Sequence, residues 1–126
     1  MNRTFSYDDV LLVPQYSDIR SRSEIDISTD LGGSVKLQLP VLASPMDTIS
    51  EGAMAGAMGQ VGACAIVHRY NTIEEQVRFI NKAASPTIVG AAIGVSGDYL
   101  ERASALADAG ADFLCVDVAH GHHIMM

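Results

Sequence analysis

The 126-residue chain is short of basic residues, short of cysteine, and has no long apolar run. Eight Lys and Arg stand against fifteen Asp and Glu, a net charge of −7. That balance argues against a general binder of nucleic acid or anionic membrane, whose phosphates are met by clustered cations. It does not exclude a phosphorylated small molecule, because backbone amides at helix N-termini bind phosphate without net positive charge. No apolar stretch approaches the ~18–20 residues of a membrane span, and Met1-Asn2-Arg3-Thr4 lacks a signal-peptide pattern. The two cysteines, Cys64 and Cys115, each sit inside an apolar run and form no disulfide framework. A cytoplasmic protein is the default expectation. With 48% hydrophobic residues the chain is neither disordered nor fibrous, and it reads as a single domain over residues 1–126.

Beyond residue 40, short apolar runs alternate with helix-like segments. The runs are Val41-Leu42-Ala43, Cys64-Ala65-Ile66-Val67, Thr87-Ile88-Val89 and Phe113-Leu114-Cys115-Val116, with starts 23, 23 and 26 residues apart. Short runs without polar alternation fit strands buried on both faces of a parallel sheet. Thr48-Ile49-Ser50-Glu51 has the pattern of a capping box, and Met54, Met58 and Val61 then share one helix face as core residues. Thr72-Ile73-Glu74-Glu75 repeats the cap, followed by a stripe of Ile73, Val77 and Ile80. Ser96-Gly97-Asp98 opens a third helix with Leu100, Ala103, Leu106 and Ala107 on its apolar face, and Gly110 stands where a left-handed residue would end it.

This alternation predicts an α/β fold of parallel βα units with right-handed crossovers. No Gly-x-Gly-x-x-Gly follows the first strand, which counts mildly against a dinucleotide-binding doubly wound sheet. Eight units of about 24 residues would make a (β/α)8 TIM barrel of roughly 200–250 residues, so three units and a fourth strand are a partial barrel. Its sheet would have an unpaired edge on each side and an uncovered inner apolar face. Ahead of it, Glu24–Ser28 and Val35–Leu39 alternate with period two around the turn-like Asp30-Leu31-Gly32-Gly33, predicting an N-terminal antiparallel β-ribbon that caps the barrel bottom.

Four stretches go beyond pattern. Tyr7-Asp8-Asp9-Val10-Leu11-Leu12-Val13-Pro14, with Ser21-Arg22-Ser23-Glu24, resembles the opening of the IMP dehydrogenase/GMP reductase family. Ser44-Pro45-Met46-Asp47-Thr48 resembles the family's signature after the first barrel strand, and His68–Gln76 the segment opening the second helix. Val116-Asp117-Val118-Ala119-His120-Gly121-His122 is similar to the end of the fourth strand.

The resemblance implies that Ser44 and Met46 contact a purine nucleotide, Ser44 by hydrogen bond and Met46 by packing on the base. It implies that Asp117 holds a ribose of a nicotinamide cofactor, with His120 and Gly121 nearby. All five follow the C-terminal ends of predicted strands, where barrel sites are assembled. Asp47 reads as structural, fixing the turn and the first helix through its carboxylate. His68 divides between a packed polar cap and a wall of the site. The His120/His122/His123 cluster lacks the partners of a metal site, and no metal is expected. Neither cysteine suits a nucleophile, since apolar surroundings raise a thiol pKa.

The family's catalytic cysteine lies on a later Gly-Ser-x-Cys-x-Thr loop that these residues do not include, and none of the residues present is assigned a catalytic role. In the family that cysteine attacks C2 of the nucleotide. The dehydrogenase oxidises IMP to XMP with NAD and water, and the reductase converts GMP to IMP with NADPH. Only Ala83-Ala84-Ser85-Pro86 stands where many dehydrogenases carry regulatory CBS modules. Ser44-Pro45-Met46 and Asp117–His122 nevertheless look closer to the dehydrogenase, with GMP reductase and its NADP cofactor as the alternative. The chain is expected to be inactive alone, and to work with a complementary C-terminal half-barrel chain. Self-association, or a non-catalytic assembly role, is the contrasting expectation.

Overall fold

The computed structural model describes residues 3–83 and 87–126; Ala84-Ser85-Pro86 of the short connection lies outside them. In chain order the elements are β1 (Thr29–Gly32), β2 (Val35–Leu37), β3 (Leu42–Ala43), α1 (Gly52–Gln60), β4 (Cys64–Val67), α2 (Ile73–Ala83), β5 (Val89–Ile93), α3 (Tyr99–Asp108) and β6 (Phe113–Val116). Strands β3-β4-β5-β6 form one parallel sheet in sequential order, and β1 pairs antiparallel with β2. No helix among the described residues is long and apolar enough to cross a membrane.

All three helices cover the same face of the parallel sheet. Ala55 of α1, Ile80 and Ala83 of α2 and Leu106 of α3 share one core with Ala65, Val67, Val89, Ala91 and Ile93. Those strand positions alternate along β4 and β5, so they point to one side. Leu106 is fully buried, a burial that contributes roughly 1.5–3 kcal/mol. The opposite side carries Cys64, Ile66, Gly90 and Ala92, and these are buried as well. Small residues there need little cover, and a Cβ on Gly90 would sit 2.5 Å from the Phe113 ring. The uncovered apolar residues of β6 are Leu114 and Val116, which the register aligns with Ala91 and Ile93 on the helix-bearing face. The expected bare inner face is thus covered over β4 and β5, while Leu42 of β3 on that side and Leu114 and Val116 of β6 on the helix-bearing side stay partly exposed.

The two-stranded sheet sits where the parallel strands begin. The Gln38 and Leu39 amides both donate to the Gly62 carbonyl at 2.9 Å, just ahead of β4. Leu31, Gly32 and Val35 share a cavity of about 400 Å³ with Asp112 and Phe113 at the start of β6.

Three predicted segments shift. The ribbon's first strand is Thr29–Gly32 rather than Glu24–Ser28, because side chains claim the earlier backbone. Ser21 caps a 3-10 turn over Arg22–Glu24, and Asp26 Oδ1 accepts from the Ser28 amide at 2.8 Å. The third strand of the parallel sheet is Val89–Ile93 rather than Thr87–Val89. Thr87 donates its hydroxyl to the Ala83 carbonyl at 2.6 Å, and the strand continues through Gly90-Ala91-Ala92, residues of low strand propensity held there by burial. The first capping box does not form: Glu51 is the N-cap with no side-chain bond, and Val61 is exposed. At the second, Thr72 caps the helix, its Oγ1 accepting from the Glu75 amide at 3.2 Å. On α3, Ala103 and Leu106 face the core while Leu100 and Ala107 face out, and Gly110 adopts φ +91°.

Candidate functional site

Because β3 to β6 are parallel, the residues after their last positions gather along one edge of the sheet. Ser44 and Met46 follow β3, His68 and Arg69 follow β4, Gly94 and Val95 follow β5, and Asp117 follows β6. Three strand spacings separate Ser44 from Asp117, about 14 Å.

The loop after β3 is a tight, partly strained turn. The Met46 amide donates to the Ser44 carbonyl at 2.8 Å, and the Ser50 amide donates to the Met46 carbonyl at 3.0 Å. The buried Ser50 hydroxyl also donates to the Ser44 carbonyl. Thr48 sits at φ +61°, a left-handed conformation that costs a non-glycine residue roughly 1–2 kcal/mol. The turn leaves Ser44 and Met46 exposed at the sheet edge.

His68 closes this loop from beneath. It is 2% exposed, and its amide donates to the Ser50 carbonyl at 3.1 Å. Its Nδ1 accepts from the Tyr70 amide at 3.2 Å, which places the proton of the neutral ring on Nε2. Among the described residues Nε2 has no hydrogen-bond partner, and it lies 3.6 Å from Glu51 Oε1 and 3.8 Å from Asp47 Oδ1. His68 is thus a packed polar residue under the site. Asp47 faces it from an exposed position instead of capping α1.

At the other side, the Asp117 amide donates to the Ile93 carbonyl at 2.9 Å, which continues the β6 pairing by one residue. Arg69 Nη2 donates to the Asp117 carbonyl at 3.1 Å, and Arg69 Nε lies 3.5 Å from Asp117 Oδ2. Among the described residues Arg69 is the carboxylate's sole ion-pair partner, and no hydrogen bond reaches it. Acceptor capacity therefore remains for vicinal hydroxyls. His120 and Val95 line an apolar cavity of about 290 Å³ with Val118, Ala119 and Met125. Gly121 is exposed, with nothing within 4 Å of a Cβ built there. The structure therefore groups Ser44 with Met46 and Asp117 near His120, and places the two groups at opposite ends of one edge.

Sequence reasoning left two polar features unassigned, Arg69 and a buried network beneath the edge. Gln76 donates to the carbonyls of Val67 at 3.2 Å and Ala92 at 2.9 Å. Arg102 donates to Gln76 Oε1 at 2.7 Å, to the Asn71 carbonyl at 3.0 Å and to Asp98 Oδ2 at 2.8 Å. The only signal in the sequence was a Gln and an Arg inside otherwise amphipathic helices. Burial pushes the thiols of Cys64 and Cys115 up, away from nucleophilic use. Among the described residues no group of three or more His, Cys, Asp and Glu is placed to hold a metal ion.

Comparison with known proteins agrees on one family. The chain matches the IMP dehydrogenase / GMP reductase domain over residues 4–126. It is 46% identical over 77 residues to an inosine-5'-monophosphate dehydrogenase of Nitrosopumilus maritimus, covering 61% of this chain and 16% of that protein. It is 44% identical over 77 residues to a GMP reductase of Leishmania donovani, again 61% of this chain and 16% of that protein. Against an inosine-5'-monophosphate dehydrogenase of Cryptosporidium parvum it is 29% identical over 168 aligned positions, 98% of this chain and 41% of that protein. The chain thus spans well under half the length of these relatives.

Proposed function

The chain belongs to the IMP dehydrogenase / GMP reductase family, and from that membership we propose that it forms the first strands of a (β/α)8 barrel that oxidises IMP with NAD. One observation carries the reading: the expected purine-side and cofactor-side residues follow strands of one parallel sheet, on one edge, at its first and fourth strands. Helices on a single face of a sequentially ordered sheet favour a barrel over a doubly wound sheet, which has helices on both faces. The exposed stripe of Leu114 and Val116 suits the next helix of such a barrel.

In this reading Ser44 hydrogen-bonds the nucleotide and Met46 packs on its base, both presented by the turn that Ser50 and His68 hold. Asp117 accepts hydrogen bonds from ribose hydroxyls of NAD, and His120 with Gly121 borders its ring. The partly exposed carboxylate with acceptor capacity left, and the apolar cavity that His120 lines, suit a ribose bearing a flat aromatic ring. Bound there, the nicotinamide would accept hydride from the purine. The residues described supply binding and orientation. The cysteine expected to attack the purine belongs to the strands that complete the barrel, contributed by a complementary C-terminal half.

The dehydrogenase is preferred on Ser44-Pro45-Met46 and on Asp117–His122. The GMP reductase relative is nearly as similar as the dehydrogenases, so substrate assays decide between them. Joined to a C-terminal half from a relative, the chain should reduce NAD in the presence of IMP. Ser44→Ala should then weaken IMP about tenfold and Asp117→Ala should weaken NAD by a similar factor, the loss expected for one good hydrogen bond to a polar ligand. A folded complex turning over neither IMP nor GMP would refute the reading.

A further inference from the structure

Arg69 follows β4, yet its guanidinium ends at Asp117, two strands away and 48 residues on. It passes over the end of β5 at Gly94, where a Cβ would come within 3.4 Å of Arg69 Nη1. Its Cζ lies 5.3 Å from the Tyr70 ring centroid, a cation–π contact. Nη2 donates to the Asp117 carbonyl at 3.1 Å, while Nε is buried without a hydrogen bond and lies 3.5 Å from Oδ2. A planar fork stacked on a ring is pre-organised, so little entropy is lost when it hydrogen-bonds the Asp117 carbonyl with its charge beside the carboxylate. Asp117 lies one residue past the end of β6, and among the described residues its other backbone tie is the bond from its amide to the Ile93 carbonyl.

We propose that Arg69 is the positioning residue for the cofactor site, setting affinity for the nicotinamide dinucleotide by fixing Asp117 in place. The proposal rests on the assignment of Asp117 to the cofactor ribose. It predicts that Arg69 acts through Asp117 and not on the purine side. Arg69→Lys is a poor substitute, because a point charge cannot span the carbonyl and the carboxylate at once.

The test joins two readouts across Arg69→Ala, Arg69→Lys, Asp117→Ala and the Arg69→Ala/Asp117→Ala double variant. Hydrogen exchange of the Asp117 amide in the 126-residue chain reports the grip without any ligand, and calorimetric binding of NAD and IMP to the completed enzyme reports its consequence. The expected result is faster exchange at Asp117 in Arg69→Ala, about tenfold weaker NAD, and IMP changed less than about twofold. Arg69→Lys should recover only part of the NAD affinity, and the double variant should bind NAD no worse than Asp117→Ala, as for residues acting through one another. Unchanged exchange, equal losses for NAD and IMP, or additive losses in the double variant would overturn it. If Asp117→Ala leaves NAD binding intact, the cofactor assignment fails and the proposal with it. Exchange at Asp117 that still responds to Arg69→Ala would locate that failure in the assignment and not in the grip.

Discussion

Arg102 shows how far one side chain can set the order beneath a site. It is 6% exposed and ties α3 to Asn71 and Gln76, and Gln76 in turn binds carbonyls of both central strands. Arg102→Met keeps most of the volume but leaves Gln76 Oε1 buried without its donor. The loss should be about 1–3 kcal/mol, read as a lower urea midpoint with unchanged slope. The partner Asp98 gives the network a pH signature. The hydrogen bond from Arg102 holds the Asp98 carboxyl below its ordinary value of 3.8. A carboxyl depressed in the folded state contributes stability above the ordinary value, and that contribution is lost as pH falls through the folded one. Urea midpoints followed from about pH 5 downwards should therefore fall more steeply for the native chain than for Asp98→Asn. None of this was legible in the sequence, because a Gln inside a helix carries no mark of whether it meets water or a strand carbonyl. Ser44, Met46 and Asp117 were singled out by the family resemblance, and the structure adds that they lie just past the ends of β3 and β6. What their neighbours do was not legible: Arg69 crosses past Gly94, just after β5, to reach Asp117 two strands away.

Among elements, α1 and α2 meet closely enough that a single methyl group separates two outcomes. A Cβ on Gly52 would lie 2.8 Å from the Phe79 carbonyl oxygen and 2.9 Å from Lys82 Cβ. Gly52→Ala gains helix propensity of up to about 1 kcal/mol but overpacks a helix contact at a cost of about 1–3 kcal/mol. A lower melting temperature is expected. Among the described residues, a Cβ on Gly56 of the same helix would meet the Ala83 carbonyl oxygen alone, at 3.7 Å. Gly56→Ala should instead stabilise by about 0.5–1 kcal/mol. A sequence reader sees three equal glycines in Gly52–Gln60, and only the packing tells Gly52 and Gly56 apart. The caps teach the same lesson. Two Thr-x-x-Glu patterns looked alike, but Thr72 caps α2 while Thr48 lies in a left-handed turn whose hydroxyl donates to the Asp47 carbonyl at 2.6 Å. The loop that presents Ser44 and Met46 overrode the local preference. Periodicity located β4 and β6 to the residue, whereas β5 was misplaced because Gly90-Ala91-Ala92 is a strand through burial, not propensity.

At the scale of the molecule, the unsatisfied surface says what the fold is prepared for. Leu114 and Val116 lie bare on the helix-bearing face of β6, and Tyr7, Leu11, Leu12 and Tyr16 of the N-terminal arm are almost fully exposed. Apolar surface of this extent favours association, and among the described residues both flanks of the parallel sheet are without a neighbouring strand. On the proposed reading, completion of a barrel would pair those flanks and cover the β6 stripe. Light scattering of the chain, alone and after mixing with a C-terminal half-barrel of a relative, tests this most directly. The account predicts a defined one-to-one complex that reduces NAD when IMP is added. A chain whose mass is indifferent to that second half would contradict it.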